Sequence, residues 1–375
     1  MFLNSLRRTF EVALVGALFL FLTQPLHVLA DGGPGDPSLV YVMTNQASGN
    51  TVLVFLRSPD GSVNKLQEVS TNGQGSGGSG DPLGSQGALT LSDDGRLLLA
   101  VNAGSNEVSS LVLSNKGLQF VSKAPSGGTM PVSVALHGDR AYVLNAGGTP
   151  NVTAFRISLS GQLTMISGST QPLPGGANSG PAQVGVTPDG SVLIVTEKNT
   201  SMIDLFPVDD GMMAAPSSVP SDGPTPFGFS FGLDSALIVS EATNSTFSTY
   251  HVQNVTTSPT LQTITKSLPD GGSAACWVVT DRGGHLVFST NSASNTISSF
   301  LMVADGSLHL LAAVAGSTAA GTVPIDMALT RSGDFLYAVG TGNGSLTGFS
   351  VQNGKLTQIA SVTGLPASIQ GIAAR

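Results

Sequence analysis

Glu197 and Glu241 are the residues whose type and placing best suit them for chemistry. Each closes an apolar run, VLIVTE and ALIVSE, and at the matching place in four other runs stand Asn45, Asn102, Asn145 and Asn291. Three kinds of chemistry fit that set. Neighbouring carboxylates raise one another's pKa, which suits one of them to act as a general base. Carboxylates with amide oxygens also make a hard-oxygen shell of the sort that calcium takes. Structurally, Asn tolerates left-handed backbone where a strand ends, and Glu can accept from backbone donors there.

The elements that position these residues repeat seven times. Each unit has an apolar strand, an Asp/Gly turn, a second apolar strand ending in Asn or Glu, a small-residue loop and a two-strand hairpin. The second strand and its loop read LVYVMTNQASGN, LLLAVNAGSNEV, AYVLNAGGTPNV, VLIVTEKNTSMI, ALIVSEATNSTF, LVFSTNSASNTI and LYAVGTGNGSLT. A period of roughly 40–50 residues with four strands per unit is that of propeller blades. The fold expected is therefore all-β, a seven-bladed β-propeller over 31–375. Nothing strand-like precedes Leu39, while ASIQGIAAR at the C-terminus resembles a first strand without a successor. The C-terminal segment is thus predicted to join blade one and close the ring, leaving no open sheet edge at a seam.

Composition agrees. Of the 375 residues only 10% are charged, Gly is abundant and the net charge is -8. Many short strands with tight turns have that profile. The scattered basic residues form no stripe, which argues against a nucleic-acid partner. Residues 1–30 read as a signal peptide: Arg7 and Arg8 precede an apolar run, and Val28 and Ala30 suit a cleavage site. Export, to periplasm or medium, is expected, with no membrane span after cleavage and a monomer as the simplest state. The single cysteine, Cys276, excludes an internal disulfide and reads as a small buried hydrophobe.

The Asp/Gly turns (TPDG at 187–190, SDDG at 92–95) and the VNAGSN-type loops resemble the lactonase family of seven-bladed β-propellers, which includes 6-phosphogluconolactonases and carboxymuconate-cyclising enzymes. That resemblance implies a central-funnel site made of a His, an Arg, a Glu and a second Arg. In this chain the His position falls near Ala182 and Gln183, the first Arg position on Thr225, the Glu position on Glu241, and the second Arg position on Asn291. Losing one oxyanion donor commonly costs about 10²–10³ in rate. With both arginines replaced, a phosphorylated substrate is disfavoured, and a neutral, sugar-type lactone is what the resemblance leaves.

On this reading Glu241, helped by Glu197, would be the catalytic base, with Gln183, Thr225, Trp277, Asn291, Asn102 and Asn145 lining the funnel. Gln86, Asp326 and Gln370 belong to the same face. Trp277 could stack on a sugar or simply fill core. No metal cofactor is implied by the family, calcium being the one candidate. The alternative function is a non-catalytic ring that binds a protein or polysaccharide of the cell envelope. The stretch NGQGSGGSG at 72–80 has dinucleotide-type glycine spacing but lacks the flanking strand and helix, and reads as a flexible loop.

Overall fold

A computed structural model describes residues 38–375; the expected signal peptide lies outside the described residues. Seven antiparallel sheets are arranged around an axis, six of them built from consecutive strands. Blade five is typical, with Pro226–Phe231 innermost, then Leu237–Glu241, Thr246–Gln253 and Thr260–Pro269 at the rim. Blades three and four split the rim strand into two short pieces, Leu163–Met165 with Gln171–Pro172, and Met212–Met213 with Ser217–Pro220.

Blade one closes the ring as expected. Its innermost strand is Ile372–Ala374, followed outward by Leu39–Met43, Thr51–Arg57 and Val63–Ser70. Val40, Tyr41 and Val42 pair with Ala374, Ala373 and Ile372. Further bonds run from Met43 N–H to the Gly371 carbonyl (2.9 Å) and from Arg375 N–H to the Leu39 carbonyl (2.8 Å).

Burial explains the strand sequences. Second strands are covered on both faces by neighbouring blades, so Leu237–Glu241 and Val192–Glu197 are buried at every position and read as unbroken apolar runs. Rim strands such as Lys355–Val362 meet solvent and carry polar residues between apolar ones. In blades two, four and six an Asp fixes the turn joining first and second strands: Asp94 accepts from Arg96 N–H (3.0 Å), with Gly95 at φ 72° where a side chain would be strained. Among the described residues no helix is long and apolar enough to cross a membrane.

Candidate functional site

The strand-ending Asn and Glu residues do not open onto the axis. All are buried, and all but Asn45 take part in one repeated knot that ties the strand end to the next strand or the loop before it and to the connector entering the blade. Glu241 is 0% exposed. Its Oε1 accepts from Gly223 N–H (2.7 Å) and Ser248 Oγ (2.5 Å), and its Oε2 from Thr246 Oγ1. Asn102 donates to Ser109 Oγ (2.8 Å) and accepts from Thr71 Oγ1 (2.7 Å) and Asn50 Nδ2 (3.0 Å). Asn291 donates to Ser298 Oγ (2.8 Å), and Asn145 to the Ser126 carbonyl (3.1 Å) and Asn151 Oδ1 (3.0 Å).

A connector glycine completes each knot. A Cβ on Gly175 or Gly223 would lie 2.1 Å from Oε2 of Glu197 or Glu241, and one on Gly272 2.2 Å from Asn291 Nδ2. Gly223→Ala is accordingly expected to destabilise the fold by about 1–3 kcal/mol, the usual cost of overpacking. Thermal unfolding checks this; an unchanged Tm would mean that the knot at Glu241 is loose.

Glu197 departs from the pattern in one respect. Its Oε1 accepts from Gly175 N–H (3.0 Å) and its Oε2 from Thr200 Oγ1 (2.6 Å). Where blades two, five and six have Ser109, Ser248 and Ser298, however, blade four has a second acid, Asp204, also 0% exposed. Burial, and then the adjoining Glu197, push the Asp204 carboxyl up to about 8. Near neutrality Asp204 therefore keeps its proton and can donate to Glu197, doing what the serine does elsewhere. The two acids form a buried pair inside the blade, and Asp204 Oδ1 also accepts from Ser218 Oγ (2.5 Å).

The other expected funnel residues also have structural partners. Gln183 spans blades four and five, donating to the Phe229 carbonyl (3.0 Å) and accepting from Phe229 N–H (2.7 Å). Thr225, at φ 59°, shares a 2.6 Å hydroxyl bond with Thr243. Trp277 is 1% exposed, packed edge-on against Phe227 at 5.0 Å, so it fills core and offers no stacking face. The carboxylates of Glu197 and Glu241 accept hydrogen bonds within these knots, whereas Asn145 Oδ1 and Asn291 Oδ1 are buried without a partner; among the described residues no three His, Cys, Asp or Glu side chains gather to hold a metal.

What reaches the axis is the connector between blades one and two, and the flexible-loop expectation for it needs correction. Asn45 clamps its start, donating to Ser76 Oγ (2.9 Å) and accepting from Ser76 N–H (2.9 Å). From there the connector crosses the mouth of the ring. Gln86 lies against the first strand of blade six, donating to the Val278 carbonyl (2.7 Å) and accepting from Val278 N–H (3.0 Å) as a neighbouring strand would. The Ser85 carbonyl accepts from Trp277 Nε1 (2.9 Å) and from Gln370 Nε2 (2.8 Å), and Gln370 Oε1 accepts from Leu83 N–H (2.8 Å). Ser85 Oγ binds the Val132 carbonyl of blade three (2.8 Å), and Thr341 of blade seven binds the Gly80 carbonyl.

Under this connector sits a polar cluster that includes a cation. Lys198 donates to the Gly84 carbonyl and stands 5.1 Å above the Phe227 ring. Asp81 accepts from Gly84 N–H (2.9 Å) and Gln370 Nε2 (2.9 Å). Burial raises the Asp81 carboxyl, against the pull of Lys198, and burial lowers the Lys198 ammonium. Asp326, 4% exposed, is pushed up to about 8 by burial, with the Asp81 charge adding to it. Cys276 is half-buried rather than fully buried, and desolvation pushes its thiol up to about 12, so it stays protonated. Lys198 lies one residue past the aligned strand ends, where no repeat position draws the eye.

Fold and site together define a seven-bladed propeller whose axial mouth is spanned by one of its own connectors. The family described as "Lactonase, 7-bladed beta-propeller" matches residues 35–175, and the remaining blades complete the same seven-sheet ring. Among solved structures it is similar to a candidate 6-phosphogluconolactonase from Bacteroides uniformis (17% identity, 89% of this chain and 99% of that one, TM-score 0.69). It is also similar to the periplasmic gluconolactonase PpgL of Pseudomonas aeruginosa (18%, 89% and 98%, 0.67) and to a protein from Lactobacillus plantarum (18%, 90% and 98%, 0.71). At these identities the likeness is one of fold. No curated protein matches the chain in sequence.

Proposed function

We propose that this protein is an exported, non-catalytic lactonase-family propeller that presents its loop-bearing face to a protein partner. One observation carries the reading: Glu241, the one family catalytic position retained, is 0% exposed, its carboxylate turned to Gly223, Thr246 and Ser248 inside the blade. A general base needs a free lone pair within reach of the water it activates. A protein partner is favoured over a polysaccharide because no aromatic ring is among the large apolar residues exposed in the described chain, Leu159 being the most exposed, and sugar-binding faces rely on aromatic rings.

A second reading rests on the axial cluster. Lys198, Asp81 and Asp326 bring one cation and two acids together at the mouth, and the similar PpgL is a periplasmic gluconolactonase. If the connector moves, Lys198 could polarise the carbonyl of a neutral sugar lactone while Asp81, as the carboxylate, accepts the proton of the attacking water. The test follows acid release from glucono-δ-lactone by the chain from Asp31, beside Glu241→Gln and Lys198→Ala. Rates equal to buffer in all three are expected. A wild-type rate abolished in Lys198→Ala would replace the binding reading with the hydrolytic one.

A further inference from the structure

The connector from blade one to blade two is longer than any other between blades. Residues 126–128 alone take the chain from Pro125 of blade two to Thr129 of blade three, so most of the stretch between Ser70 and Leu89 is not needed to step round the ring. Connections of that length inside a compact domain are uncommon and usually serve as lids or binding loops. Its residues 81–86, DPLGSQ, lie on the mouth, and the ring receives them as it would a peptide. The Gly84 carbonyl takes the Lys198 ammonium, the Ser85 carbonyl takes the Trp277 indole N–H (2.9 Å), and Gln86 reads both backbone groups of Val278 (2.7 and 3.0 Å). Gln370 donates to the Asp81 carboxylate (2.9 Å) and accepts from Leu83 N–H (2.8 Å). Leu83, 5% exposed, is the one large aliphatic side chain that the segment buries. Gly80 at φ 79° and Gly87 at φ 82° bound the segment, and lids hinge at residues of this kind.

We propose that the mouth of the ring is a peptide-binding site, that residues 81–86 are its internal occupant, and that the protein partner docks by putting an extended acidic and aliphatic segment of its own in their place. This rests on the protein-partner reading above and names its site and the partner's chemistry. The pattern required is an acid held by Gln370 beside Lys198, an aliphatic residue two positions on, and then small residues whose carbonyls reach Lys198 and Trp277. Gly84 shows how tight the last requirement is: a Cβ there would stand 2.8 Å from Lys198 Nζ. A tethered occupant competes at a high effective concentration, so the site stays shut to loosely matching chains and opens to a closely matching one.

Trp277 is the only tryptophan in the chain, and its emission reports the exchange. The probe is an end-blocked peptide of residues 79–88, titrated against the chain from Asp31. With Gly-Ser repeats in place of 81–86, Trp277 emission should shift to the red, and the peptide should reverse the shift with a micromolar Kd. Leu83→Ala keeps the whole ring and only loosens the occupant; it should bind as well, and it decides the matter if the Gly-Ser form does not fold. Wild type, with the site open in about 1–10% of molecules, should bind a fluorescein-labelled peptide about 10–100-fold more weakly than the opened form. Lys198→Met in the protein, or Asp81→Asn in the peptide, should each weaken binding about tenfold or more, as loss of a charged hydrogen-bond partner does. No binding to either opened form, or a wild type that refuses the peptide at about 1 mM while they take it, would overturn the inference and leave the partner reading standing. Acid release from glucono-δ-lactone by the Gly-Ser form would overturn both.

Discussion

A chain ending at Ser368 should lose the cooperative unfolding transition of the intact protein. The missing residues include Ile369 and Ile372, at 0% and 5% exposed, and the whole innermost strand of blade one. Fully burying one such side chain is worth about 1.5–3 kcal/mol. Adding the lost pairing with Leu39–Met43 brings the expected deficit to about 5 kcal/mol or more, comparable with the full stability of many domains. Gln370 goes as well, and with it three hydrogen bonds that hold the axial connector. Circular dichroism on heating checks this, and a peptide spanning 366–375 added in trans should restore part of the transition. A truncated chain melting within a few degrees of wild type would show that the seam matters little. Because blade one pairs Leu39–Met43 with Ile372–Ala374, its inner pairing is a non-local closure of the kind that slows folding.

The second large effect concerns pH. Asp326 and Asp204 are both pushed from an ordinary 3.8 up to about 8, chiefly by burial. A carboxyl whose pKa is raised on folding holds its proton in the native state over a range where the unfolded chain has released it. Each such group therefore costs nothing below about pH 4, costs more as pH rises, and reaches its full cost above about pH 8. The slope is at most about 1.4 kcal/mol per pH unit for each group. Asp326→Asn should raise stability by about 2–5 kcal/mol at pH 8, and the gain should fade toward pH 5. Asp204→Ser should behave alike, since serine is what blades two, five and six use beside the strand-ending residue, although Ser218 would lose its acceptor on Asp204. Urea midpoints at pH 5 and pH 8 test both; a gain that is equal at the two pH values would show that neither acid is protonated near neutrality.

The fold was legible because a strand covered on both faces has a strong signature and recurs seven times. Its closure was legible too, since ASIQGIAAR is a first strand lacking a second. The site was less so. A repeat position fixes how far along the axis a residue lies, but not whether its side chain points to the channel or into the sheet. Glu241 sits at the height expected and turns away, toward Ser248 and Gly223. Aligned third strands could have signalled this: Ser109, Ser248 and Ser298 each stand seven residues past their strand-ending partner, and Asp204 occupies the same place. The stretch at 72–80 reads as flexible because glycine content says what conformations are allowed, while its order comes from distant partners such as Asn45, Lys123 and Thr341.

The Gln86 bridge has a mechanical corollary. In an array where units touch only their neighbours, damage can start in one unit and spread stepwise from it. Here blade two grips blade six directly across the hub, and the same connector touches blades one, three and seven. Spokes of this kind couple sectors that share no boundary. The wheel should come apart as a whole or not at all, and its hub cannot serve as a conduit while the spokes are in place.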